Sequence, residues 1–110
     1  HHVAFNVADL TAFVVALESD GPIVKGRMQP LRVRIADAGG NPVGGATVSM
    51  DGGMPQHRHG LPTRPEVNAG DAIGAYEIAG LRFSMGGWWE LRFRIATSAA
   101  TDSVTFHLRL

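Results

Sequence analysis

Apolar residues recur at every second position, turn-forming residues interrupt them about every ten residues, and no window sustains the i, i+3, i+4, i+7 spacing of an amphipathic helix. Together these predict an all-β protein, an immunoglobulin-like antiparallel β-sandwich of about seven strands. At 110 residues the chain fits one domain, residues 1–110, large enough to bury a core.

In Thr11 to Glu18, Phe13, Val15 and Leu17 fall on one side of an extended backbone and Val14, Ala16 and Glu18 on the other, which predicts a first strand at a sheet edge. Gly21-Pro22 ends it, and Ile23 to Arg27 reads either as a short strand or as a connection. Leu31 to Ile35 alternates with Arg32 and Arg34 outward. The turn formers of Asp37 to Pro42 then lead into a strand over Val43 to Met50, which pairs with or faces its predecessor. From Asp51 to Gly70 alternation lapses among glycine, proline and polar residues, which predicts a long loop with at most a brief strand around Val67. Short extended segments follow at Gly74 to Ile78 and at Leu81 and Phe83. Trp89, Leu91, Phe93 and Ile95, then Val104, Phe106 and Leu108, predict a closing hairpin across Ser98 to Asp102. The expected core comprises Phe13, Val15, Leu17, Leu31, Val33, Ile35, Val48, Tyr76, Ile78, Leu91, Phe93, Ile95, Phe106 and Leu108.

Composition narrows function mostly by exclusion. Ten lysines and arginines balance ten aspartates and glutamates, so no net field favours nucleic acid, and any electrostatic preference is local. Without cysteine there is no disulfide, thiolate ligand or cysteine nucleophile, a composition compatible with an oxidising compartment. The longest apolar stretch, Ala12 to Leu17, is far short of the ~18 residues that span a bilayer. His1-His2 reads most simply as a tag remnant, and otherwise as a native copper-chelating terminus. No nucleophile elbow, phosphate loop or zincin helix occurs, so a non-catalytic role is expected.

Ligand chemistry concentrates in Met54-Pro55-Gln56-His57-Arg58-His59-Gly60. Histidines at i and i+2 of an extended chain point to one side, and a bend at Pro55 brings the Met54 thioether round to them. Imidazole with thioether favours copper, Cu(I) above all, over oxygen-seeking magnesium or calcium. Met85, in Ser84-Met85-Gly86-Gly87, offers a second sulfur if its turn lies at the same end. The candidate metal ligands are therefore Met54, His57, His59 and Met85. A solvated polar loop with methionine as a core plug is the competing reading, and Arg58 opposes a bound cation. Zinc would need a further ligand from Asp51, Glu66 or His107. Arg32, Arg34, Arg92, Arg94 and Arg109 with His107 could form a basic stripe, or simply wet the outer sheet faces. Of the tryptophan pair, Trp89 reads as core and Trp88 as an outward ring packed on the long loop.

Asn41-Pro42-Val43, Gly45-Ala46-Thr47-Val48, Met54-Pro55 with His57 and His59, Gly74-Ala75-Tyr76, Gly80-Leu81-Arg82-Phe83, Met85 and Gly87-Trp88-Trp89-Glu90-Leu91, in that order, resemble the YtkA-like domain family, related to FixH-like proteins. The resemblance runs from about Leu31 to Leu110. It implies a periplasmic or extracytoplasmic sandwich, sometimes membrane-tethered, with a His/Met end loop that holds copper as a carrier or accessory domain. The implied partner is a metal-transfer or membrane protein. The alternative is a metal-free interaction module of a membrane or oxidase-assembly complex.

Overall fold

The computed structural model describes the backbone of residues 3–9, 12–55 and 59–110, and the side chains of 12–55 and 60–110. Among the described residues there is no helix. Nine strands form among them: β1 (Val3–Asp9), β2 (Phe13–Ser19), β3 (Leu31–Asp37), β4 (Thr47–Met54), β5 (His59–Gly60), β6 (Glu66–Ala69), β7 (Ala75–Ala79), β8 (Trp88–Ala96) and β9 (Thr101–Arg109). Seven have five or more residues; β5 and β6 are short. They make a five-stranded sheet, β1-β2-β3-β7-β6, and a four-stranded sheet, β5-β4-β8-β9. From β2 to β9 this is the immunoglobulin order, with an ABED-type sheet against a C′CFG-type sheet.

Every pairing is antiparallel, because the inward apolar set of each strand fixes its register against a buried face. All fourteen expected core residues are buried, joined by Met54, Leu81, Phe83, Trp89 and Val104. Edge-to-face contacts of Phe83 with Trp89 (centroids 5.1 Å apart) and Phe93 with Phe106 (5.8 Å) fill the space between the sheets. Tyr76 of β7 reaches across to the β3–β4 connection, where its hydroxyl donates to the Val43 carbonyl (2.7 Å) and accepts from the Ala46 amide (3.1 Å). That connection carries the chain from one sheet to the other, so β3 and β4 face each other.

Two sequence expectations change. The strand beginning near Phe13 is interior, because β1 pairs along its outer side. A bulge between Ala4 and Asn6 breaks the period of β1 and hides it from an alternation reading. The Asp51 to Gly70 stretch is not one long loop: β4 continues to Met54, turns back as β5, and reaches β6 after a short connection. Val48, Met50, Gly52 and Met54 share the inward parity of β4. At Gly52 a side chain has no room, since a Cβ there would stand 2.6 Å from the Glu90 carbonyl oxygen and 2.9 Å from Leu91 Cδ2. Ile23 to Arg27 is a connection, tied down by Gly26 N–H to the Phe83 carbonyl (2.6 Å), Gln29 N–H to the Leu81 carbonyl (3.2 Å) and a Met28–Arg82 bridge.

Antiparallel strands sort the connections to two ends. Segments 20–30, 61–65 and 80–87 and the β4–β5 turn lie at one, here the loop end; segments 38–46, 70–74 and 97–100 lie at the other.

Candidate metal centre at the loop end

The inward phase of β4 delivers Met54 to the loop end as a core residue, only 1 % exposed. Its terminal methyl lies against the backbone of Gly87: a Cβ on Gly87 would be 2.7 Å from Met54 Cε, and the φ of 124° there also excludes most side chains. The segment Ser84 to Gly87 is held in place from two sides. Trp89, fully buried, donates its indole N–H to the Met85 carbonyl (3.0 Å), and Gly87 exchanges two 2.9 Å backbone hydrogen bonds with Leu110. The Met85 side chain stands 40 % exposed above this platform.

On the other side of Met54, the β4–β5 hairpin sets the α-carbon of His59 directly opposite it. His57 lies outside the described residues. Of the four sequence candidates, the fold thus brings Met54, the Met85 turn and the His59 backbone to one end. A groove of about 360 Å³ runs beside them, lined by Asp51, Gly53, Met54, Gly60, Glu90 and Arg92.

Sequence reasoning missed Met28. The Met28–Arg82 bridge carries this 59 % exposed thioether to the same end as Met85. No local motif marks it; only the topology brings segments 20–30 and 80–87 together.

Among the described residues a zinc set does not assemble. Asp51 is engaged by Arg92 (3.5 Å), His107 lies 3.5 Å from Glu90, and Glu66 belongs to the opposite sheet. Among the described residues no group of three or more histidine, cysteine, aspartate or glutamate side chains could hold a metal ion. The soft donors at this end among the described residues are therefore the methionine thioethers.

The arginine stripe divides. Arg32 and Arg34 lie on the five-stranded sheet, while Arg92, Arg94 and Arg109 lie on the four-stranded one. Arg34 pairs with the buried Glu18 (2.7 Å), and Arg92 with Glu90 (3.1 Å) and Asp51. Hydrogen bonding to Asp20 holds the Arg32 guanidinium above its ordinary pKa despite partial desolvation. Arg109 instead lies over the Trp88 ring, 5.4 Å from its centroid, so the outward tryptophan packs on an arginine.

Charge is distributed unevenly between the two ends. Lys25, Arg27, Arg64, Arg82 and Arg109 are all exposed at the loop end, and among the described residues none forms an ion pair. The acids at or near that end are Asp20, held by Arg32, Glu66, and the strand-end residues Glu18, Glu77 and Glu90, which pair with Arg34, Arg32 and Arg92. The connections at the opposite end carry Asp71 and no lysine or arginine, while the strands beside them carry Asp37 and Asp102 together with Arg94 and the Glu18-paired Arg34.

Comparison with known proteins gives one family: the model described as YtkA-like matches residues 8–94. No curated protein and no solved structure matches the chain.

Proposed function

The chain belongs to the YtkA-like family, and from the donors gathered at its loop end we propose that it is an extracytoplasmic copper-binding carrier or accessory domain, a binding protein rather than an enzyme. Met54, His57, His59 and Met85 are the proposed ligands. The observation that carries this reading is the convergence of Met54 on the Met85–Gly87 turn, with the backbone of His59 in register beside it.

The chemistry selects the oxidation state. Thioethers and imidazoles are neutral, soft to borderline donors that suit Cu(I). The unpaired cations of this end repel a divalent ion twice as strongly as a monovalent one at equal distance. Cu(I) therefore fits better than Cu(II) or Zn(II). Met85 is partly exposed and Met54 buried, which would give one labile and one fixed sulfur, as transfer to a partner requires.

Cu(I) titration of the tag-free protein against a competing chelator tests the proposal. The expected result is one copper bound per chain, with affinity at least tenfold weaker in His57→Ala/His59→Ala; equal affinity in that variant refutes the site.

A metal-free interaction module is the second reading, favoured by the exposed Trp88 and Met28 at the same end.

A further inference from the structure

A formal charge of zero conceals a polar molecule. Among the described residues five of the six lysines and arginines without ion pairs sit at the loop end, the sixth being Arg94 of β8, and Asp37, Asp71 and Asp102 sit at or beside the opposite connections. The distribution of exposed apolar groups repeats the asymmetry. Of the large hydrophobic side chains that stand exposed among the described residues, Val24 (43 %), Met28 (59 %), Met85 (40 %) and Trp88 (43 %) are at the loop end, and only Ile73 is at the other.

We propose that the loop end is a docking surface for an anionic lipid bilayer. Val24, Met28, Met85 and Trp88 would enter the headgroup region while Lys25, Arg27, Arg64, Arg82 and Arg109 engage the anionic headgroups.

Each part has a physical reason. Apolar side chains exposed at one tip cost free energy in water and regain it at the acyl boundary, while the surrounding cations gain electrostatic attraction to anionic lipid. Tryptophan and arginine are both amphipathic at this depth, and the Arg109–Trp88 stack presents them as one unit. Among the described residues none of the five cations has an ion pair to break in order to bind. The apolar groups come from three places along the chain, segment 20–30, segment 80–87 and the start of β8, with cations between them. A fluid surface meets such an arrangement without shape complementarity, whereas an acidic protein would need a matching relief. The dipole also orients the molecule, since its acidic end is repelled from the same surface.

The test uses copper-free protein, so its outcome does not depend on the metal reading. Sedimentation with phosphatidylcholine vesicles, with and without phosphatidylglycerol, is measured at low and high salt. Binding only to the anionic vesicles, lost at high salt, is expected. Arg27→Gln/Arg82→Gln should weaken the partition about thirtyfold, while Asp71→Asn/Asp102→Asn, at the far end, should not weaken it. Emission from Trp88, taken as the difference from Trp88→Phe, should shift to the blue on anionic vesicles. Failure to bind anionic vesicles overturns the proposal, as does equal binding by Arg27→Gln/Arg82→Gln. Binding to polyglutamate but not to anionic vesicles also overturns it and identifies an acidic protein as the partner.

Discussion

Replacing Met54 separates two roles that this one side chain combines. It is 1 % exposed and packed in the core cluster, with its methyl against Gly87. Truncation in Met54→Ala removes buried atoms and leaves a cavity beneath the Met85 turn, at a cost of about 2–5 kcal/mol. For a domain of this size that corresponds to a fall in Tm of roughly 8–20 °C, at about 4 °C per kcal/mol. Met54→Leu conserves volume and apolarity, and should cost less than about 1.5 kcal/mol. The sulfur is nevertheless gone, so Cu(I) affinity should fall at least tenfold. Urea unfolding and chelator competition on the same three proteins measure both quantities. A Met54→Ala cost under about 1 kcal/mol would refute the packing reasoning, since it lies below the range for buried methionine. A Met54→Leu protein that binds Cu(I) as the native chain does would show that Met54 is a plug and not a ligand.

Further outcomes follow from other contacts. Tyr76→Phe leaves the Val43 carbonyl and the Ala46 amide without their shared partner, and should destabilise the fold by about 1–3 kcal/mol in denaturant unfolding. The Asp37 carboxyl lies below its ordinary pKa of 3.8 because the Asn41 backbone amide, the Asn41 side chain and the Gly39 amide donate to it. A folded-state pKa that is depressed contributes stability above the unfolded value, and that contribution is lost as pH falls through the folded value. The stability difference between the native chain and Asp37→Asn should therefore be constant near neutrality and shrink below pH 3.8. Copper occupancy should decline as pH drops below about 6.5, where free imidazole protonates; equilibrium dialysis showing full occupancy in strong acid would exclude the histidines as ligands.

How much of this was legible in the sequence varies with position. The β8–β9 hairpin was readable because every inward position from Trp89 to Ile95, and from Val104 to Leu108, holds a large apolar residue. The end of β4 was not, because its inward position 52 is a glycine emptied by the close approach of Glu90 and Leu91, so the strand continues where its pattern stops. In β1 the bulge at Phe5 shifts the period within seven residues. The ligand candidates stood out by chemistry, yet the partnership of Met54 with the Met85 turn depends on the chain crossing from β4 to β8, which local spacing does not encode. Met28 and the basic loop end were invisible for the same reason. Lys25, Arg27, Arg64, Arg82 and Arg109 are scattered along the chain, their charges cancel in the sum, and only the antiparallel topology collects them at one end.

The proposed copper site is tested most directly by X-ray absorption at the copper edge of tag-free protein loaded with one equivalent of Cu(I). The donor set predicts a first shell containing both imidazole nitrogen and thioether sulfur, with the sulfur contribution reduced in Met54→Leu. A shell of nitrogen and oxygen alone, unchanged by that substitution, would contradict it.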